Sequence, residues 1–164
     1  MAEDIIRIDD CPSPALVTIE VGGDGEEATE EAIRGIYDSL RATSLAMSEK
    51  TVLPGGGASH SMIAHHVRTE MESEPGRERI AMESFARAME TIPAVLAENS
   101  GQNPLDKVLK LRSEARNGNC MGIDRDGKIT SPEGVWHPKS VISGSLETCL
   151  LYTSDAADET GRGG

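Results

Sequence analysis

Ile80, Ala81, Phe85, Ala88, Ile92, Val95 and Leu96, with Ser84 among them, recur at the spacing of one helical face. Sustained over many turns, such a stripe specifies an α-helix and commits the chain to a mostly α fold with short β-strands. Pro93 lies inside it, where the missing N–H deletes one helical hydrogen bond and predicts a kink. Phe85, Trp136, Tyr37 and Tyr152 are the only aromatic residues, so the core has to be built from Leu, Ile, Val, Met and Ala.

Other segments take their places around this helix. "DIIRI" and "ALVTIEV", parted by "DDCPSP", read as two short strands. "GGDGEE" then turns the chain and sets acids at a helix start, where they complement the dipole. From about Ala28 to Ser48, Ala32, Ile33, Ile36, Tyr37, Leu40 and Met47 form one apolar stripe. A further helix is expected over Ala58–Met71, with Met62, Ile63, His66 and Val67 on its inner face. "NPLDKVLKLRSEARNG" opens with Asn103 as cap, Pro104 at the first helical position and Asp106 completing a box-like start. Asn117-Gly118 ends it. "CMGIDRDGKITSPEGVWHP" is turn-rich with short strand candidates, and "KSVISGSLET" opens one more helix. No internal repeat is visible.

A formal net charge of −12 argues against binding nucleic acid or an anionic membrane through charge. At 164 residues the chain is long enough for one domain or pieces of two. Cys11, Cys120 and Cys149 are widely spaced and contain no CxxC pair, which suggests neither a disulfide framework nor a zinc site. No apolar run approaches a membrane span and the start lacks a signal-peptide core, so a cytoplasmic location is expected.

Four features bear on chemistry. Gly55-Gly56-Gly57 permits positive φ and close backbone approach, and the amides opening the next helix can face an anion or polar ligand. The same glycines also suit a tight helix–helix junction, and they do not form a GxxxxGK[ST] or GxGxxG phosphate loop. Asp38 falls beside Arg34 and Arg41 at helical spacing, as a solvated acid in surface pairs would. His60, His65 and His66 do not share one helical face, and no carboxylate or Cys stands at a usual metal spacing from them. "DRDG" at 124–127 lacks the downstream acids of a calcium loop and reads as a hairpin turn with Asp126-Gly127 at its tip.

"VLPGGGAS", "GRERIAMESFARAMETIPAVLAENSGQNPLDKVLKLRSEA", "MGID" and "GVWHPKSVISGSLET" resemble, in this order, the C-terminal part of a group II chaperonin subunit. That is the archaeal thermosome type, related to the eukaryotic cytosolic chaperonin; "FARAMETIPAVLAENSG" is the most specific stretch. The resemblance implies a layout: residues 1–22 end the apical domain, and 23–50 belong to the intermediate domain. Residues 51–148 form the C-terminal half of the equatorial ATP-binding domain. The family's other equatorial half, with its GDGTT phosphate loop and magnesium-binding acid, is expected outside this chain. "CLLYTSDAADETGRGG", residues 149–164, resembles translated sequencing adapter and is expected to be a non-native tail.

Site roles follow from the same resemblance. Gly56, flanked by Gly55 and Gly57, is expected against the ribose of ATP. Met121, Gly122 and Ile123 are expected to line the adenine. Asp38 matches the acid that swings onto the nucleotide and positions the attacking water. His137 stands where the family usually has Asp or Glu on the ribose hydroxyls, which puts that contact in question. The resemblance further implies Mg2+, partner subunits in a double ring and unfolded protein substrates, with no nucleic acid or membrane partner. A chain carrying only the nucleoside and carboxylate side of the site is expected to be inactive by itself. The alternative is a non-enzymatic helical interaction module on the same scaffold.

Overall fold

The apolar periodicities mark out helices correctly in the structure, a computed structural model that describes residues 17–148 and residue 150. These helices are α1 (Glu26–Glu49), α2 (Ala58–Met71), α3 (Arg77–Asn99) and α4 (Pro104–Arg116), followed by a helical stretch, α5, over residues 139–148. Two antiparallel pairs complete the fold. β1 (Val52–Pro54) pairs with β4 (Trp136–Pro138), and β2 (Gly122–Ile123) pairs with β3 (Ile129–Thr130). The chain divides into two compact units, Met1–Leu40 and Arg41–Gly164.

Within the first unit, α1 begins with Glu26 and Glu27, acids that favour a helix start. Its stripe of Ile33, Ile36, Tyr37 and Leu40 meets Val17, Ile19 and Val21 around an open apolar groove of about 300 Å³. Residues 17–23 carry no regular secondary structure, so the strand expected over "ALVTIEV" is not formed among the described residues. A strand needs a ladder partner for its backbone groups, and none lies beside this segment among the described residues. The first expected strand, Cys11, Tyr152 and the tail from Cys149 (except Leu150) lie outside the described residues.

In the second unit α2, α3 and α4 enclose two small cores. Ala64, Ala86 and Met89 pack with Ile63, Val67, Phe85 and Leu146; Ala97, Leu111 and Ile123 pack with Met121 and Ile129. One expectation, the inner face of α2, is corrected in part here. The fully buried residues of α2 are Ala58, Ser59, Ser61 and Ala64; Ile63 and Val67 pack against the core as expected, while His66 is exposed. The buried residues of α3 are Ala86, Met89, Glu90, Pro93 and Ala97, and much of the apolar stripe points outward, with Ile80 69% and Ile92 44% exposed. Small side chains let the helix axes approach closely, so they occupy the contact and leave the bulkier residues outside it. α3 continues through Pro93, whose ring is fully buried.

The remaining turns follow local chemistry. Asn103 Oδ1 accepts from the N–H groups of Leu105 (2.9 Å) and Asp106 (3.3 Å), capping α4. Asp124 Oδ1 accepts from Asp126 N–H and Lys128 N–H and rigidifies the β2–β3 hairpin, with Gly127 at φ 75°.

Candidate functional site

Pro54 closes β1, and the next three residues turn the chain into α2. Gly56 and Gly57 have φ values of 62° and 75°, where a residue bearing a Cβ is strained. The space is equally restrictive. A Cβ on Gly55 would overlap Val135 Cγ1; one on Gly56 would lie 2.8 Å from the Ile123 carbonyl oxygen, and one on Gly57 2.8 Å from Pro93 Cβ. Gly122 meets the run from the other side, where a Cβ would stand 2.9 Å from the Gly56 oxygen. Backbone hydrogen bonds seal the junction: Gly55 N–H donates to Val135 O and Ile123 N–H donates to Gly56 O, both at 2.8 Å. The bare backbone is therefore a tight junction within the protein.

Beside this junction lies a hollow of about 70 Å³, lined in part by Gly56, Gly122, Ile123, Thr130 and Val135. Small-molecule pockets usually start near ~300 Å³, so this hollow by itself does not enclose a small molecule. His137 faces Leu53 across the β1–β4 ladder, and its Nε2 would be 3.2 Å from a Cβ on Gly55. His60, in the first turn of α2, is close enough that His137 acts on it: burial lowers the His60 pKa first, and electrostatic repulsion from the His137 ring lowers it further.

The fold thus gathers Gly55, Gly56, Gly57, Gly122, Ile123 and His137 at one place, with half-buried Met121 packed against the second core. Asp38 belongs to the other unit, where it is exposed on α1. There Arg34 reaches Glu31 at 3.3 Å. Among the described residues no three His, Cys, Asp or Glu side chains converge as metal ligands. No described helix is long and apolar enough to cross a membrane.

The sequence model of the TCP-1/cpn60 chaperonin family matches residues 1–154. The chain belongs to that chaperonin family. It is 40% identical over 149 residues to a thermosome subunit beta of Thermoplasma acidophilum, covering 86% of this chain and 27% of the relative. A thermosome subunit of Methanocaldococcus jannaschii is 36% identical over 149 residues, covering 88% and 28% respectively. The solved open-state monomer of a group II chaperonin from Methanococcoides burtonii superimposes with a TM-score of 0.65 at 27% identity, covering 80% of this chain and 34% of that one. The chain spans about 30% of the length of the thermosome subunit beta of Desulfurococcus mucosus.

One feature of this chaperonin chain escaped the sequence reading. Glu90, 6% exposed inside α3, receives both Arg68 of α2 and Arg112 of α4. Its Oε1 accepts from Arg68 Nη1 and Arg112 Nε, each at 2.6 Å, and its Oε2 from Arg68 Nη2 (2.9 Å) and Arg112 Nη2 (2.5 Å). Arg68 also holds Glu83 through Nε at 2.9 Å. Burial pushes the Glu90 carboxyl pKa up, but the hydrogen bonds from Arg112 and Arg68 outweigh it and hold it below the ordinary carboxylate range. The available signal was an acid between Met89 and Thr91, two positions from both Ala88 and Ile92 of the apolar stripe.

Proposed function

We propose that this chaperonin chain forms the nucleoside side of an ATP site in a subunit of an ATP-driven protein-folding ring. The observation that carries the reading is the convergence of Gly55–Gly57, Gly122, Ile123 and His137 from sequence positions far apart. In this reading residues 1–22, 23–50 and 51–148 serve as apical, intermediate and equatorial segments, and 149–164 as a non-native tail. Gly56 meets the ribose, while Met121, Gly122 and Ile123 line the adenine. The phosphate and Mg2+ ligands come from sequence outside this chain.

ATP hydrolysis needs an in-line water and a carboxylate to orient it. Asp38, exposed on a long helix, has the accessibility such a group requires. His137 replaces a carboxylate with an imidazole, which offers a ribose diol fewer acceptor sites.

The test uses a full-length subunit assembled into rings and carrying this segment. Asp38→Ala is expected to lower kcat by roughly 10²–10⁴-fold with little change in apparent ATP affinity. His137→Asp is expected to tighten nucleotide binding. The 164-residue chain alone is expected to show no ATPase above background. Undiminished turnover in Asp38→Ala would reduce that residue to a surface acid.

A further inference from the structure

Four of the chain's arginines line a single cavity. It is an open hollow of about 350 Å³ between α2, α3 and α4, walled by Arg68, Arg79, Arg112 and Arg116 together with Ser61 and His65. Its size falls within the usual range of small-ligand sites, ~300–1,000 Å³. It shares no lining residue with the hollow beside Gly56.

The charges in this wall are unevenly satisfied. Arg68 and Arg112 are locked onto Glu90 and Glu83, which fixes their guanidinium planes. Arg79 and Arg116 are exposed and form no ion pair among the described residues. Glu72 is the one acid among the lining residues and Glu83 and Glu90 offset Arg68 and Arg112, so four arginines against three acids leave the site one positive charge in excess in a chain of net charge −12. Arg116 stands in the last turn of α4, where it complements the helix dipole. That role accounts for Arg116 alone and leaves Arg79, near the start of α3, unexplained.

The geometry points to a binding site for a phosphate-type oxyanion in this hollow, with Arg79 and Arg116 as the mobile clamps and Arg112 as the fixed wall. Guanidinium groups arriving from two helices, Arg79 from α3 and Arg112 and Arg116 from α4, suit a tetrahedral anion that offers oxygens in several directions; a planar carboxylate presents only two. Desolvation at the buried base strengthens such contacts, while the pre-formed Arg68–Glu90–Arg112 lattice spares the site the cost of ordering. The assignment is independent of the nucleotide reading.

Inorganic pyrophosphate is the probe, titrated calorimetrically into the full chain with ionic strength held constant by sodium chloride. Binding is expected to weaken at least tenfold in the Arg79→Gln/Arg116→Gln double variant and to be unchanged in Arg87→Gln, an exposed control on α3 outside the cavity. On the unmodified chain, pyrophosphate is expected to shift the His65 ring resonances and the Arg79 and Arg116 side-chain signals in NMR spectra. No binding, equal weakening in the control, or unmoved His65 and arginine signals would overturn the assignment. So would a glutamate hexapeptide that outcompetes pyrophosphate, since the hollow would then be a carboxylate-binding surface.

Discussion

Gly57 shows how little latitude a single position can have. An Ala there must adopt φ near 75° and also place its Cβ 2.8 Å from Pro93 Cβ. Gly57→Ala is therefore expected to cost about 1–3 kcal/mol, read as a lowered urea midpoint. Glu90 is the opposite case, a side chain whose removal leaves two arginines facing each other. Glu90→Ala is expected to destabilise by about 3 kcal/mol, the order found when one partner of a buried ion pair is deleted. Because the folded Glu90 pKa lies below the ordinary value of 4.5, its contribution is complete above about pH 4.5 and is lost as pH falls through the depressed folded value. Glu90→Gln is expected to flatten that acid limb of the stability profile, measured by denaturant melts between neutral pH and pH 3. The glycine run was readable in the sequence as a place of close approach. Its occupants were not, because Val135, Ile123 and Pro93 arrive from other elements and only the fold selects them.

At the scale of elements, local signals carried furthest. The Asn103-Pro104 start of α4 is a side-chain cap visible in the sequence and present in the structure, with Asn103 Oδ1 holding two backbone amides. Asn103→Ala is expected to cost about 1 kcal/mol of stability by thermal melting. The extents of α2 and of the hairpin around Asp126-Gly127 were equally legible, since both depend on neighbours within a few residues. Helix faces were not. Periodicity says that α3 has an apolar stripe, but Ala86 and Ala97 decide where a second helix fits, and periodicity does not weigh smallness. Residues 17–23 illustrate the same limit for strands, whose existence rests on a partner.

The second unit leaves Ile80, Ile92, Val95 and Leu96 of α3 substantially exposed, and the first unit, taken by itself, carries an open apolar groove. Apolar surface of this kind promotes association. In isolation the chain is expected to bind a hydrophobic dye and to unfold over a broad transition. A sharp, concentration-independent transition from a monomer would show instead that it is self-sufficient. The glycine junction has a consequence in time as well. The β1–β4 ladder holds Val52 to Pro138, 86 residues further along the chain, whereas each helix and the β2–β3 hairpin closes over short distances. Joining distant residues carries a loop-closure entropy that local contacts avoid, so folding should be staged, with helices and hairpin early and the β1–β4 clasp late. The amide of Gly55, bonded to Val135 across that clasp, should then exchange with solvent sooner than those at the centre of α3. In the proposed reading, the wall of the nucleoside site is then built after the helices and the hairpin that it joins.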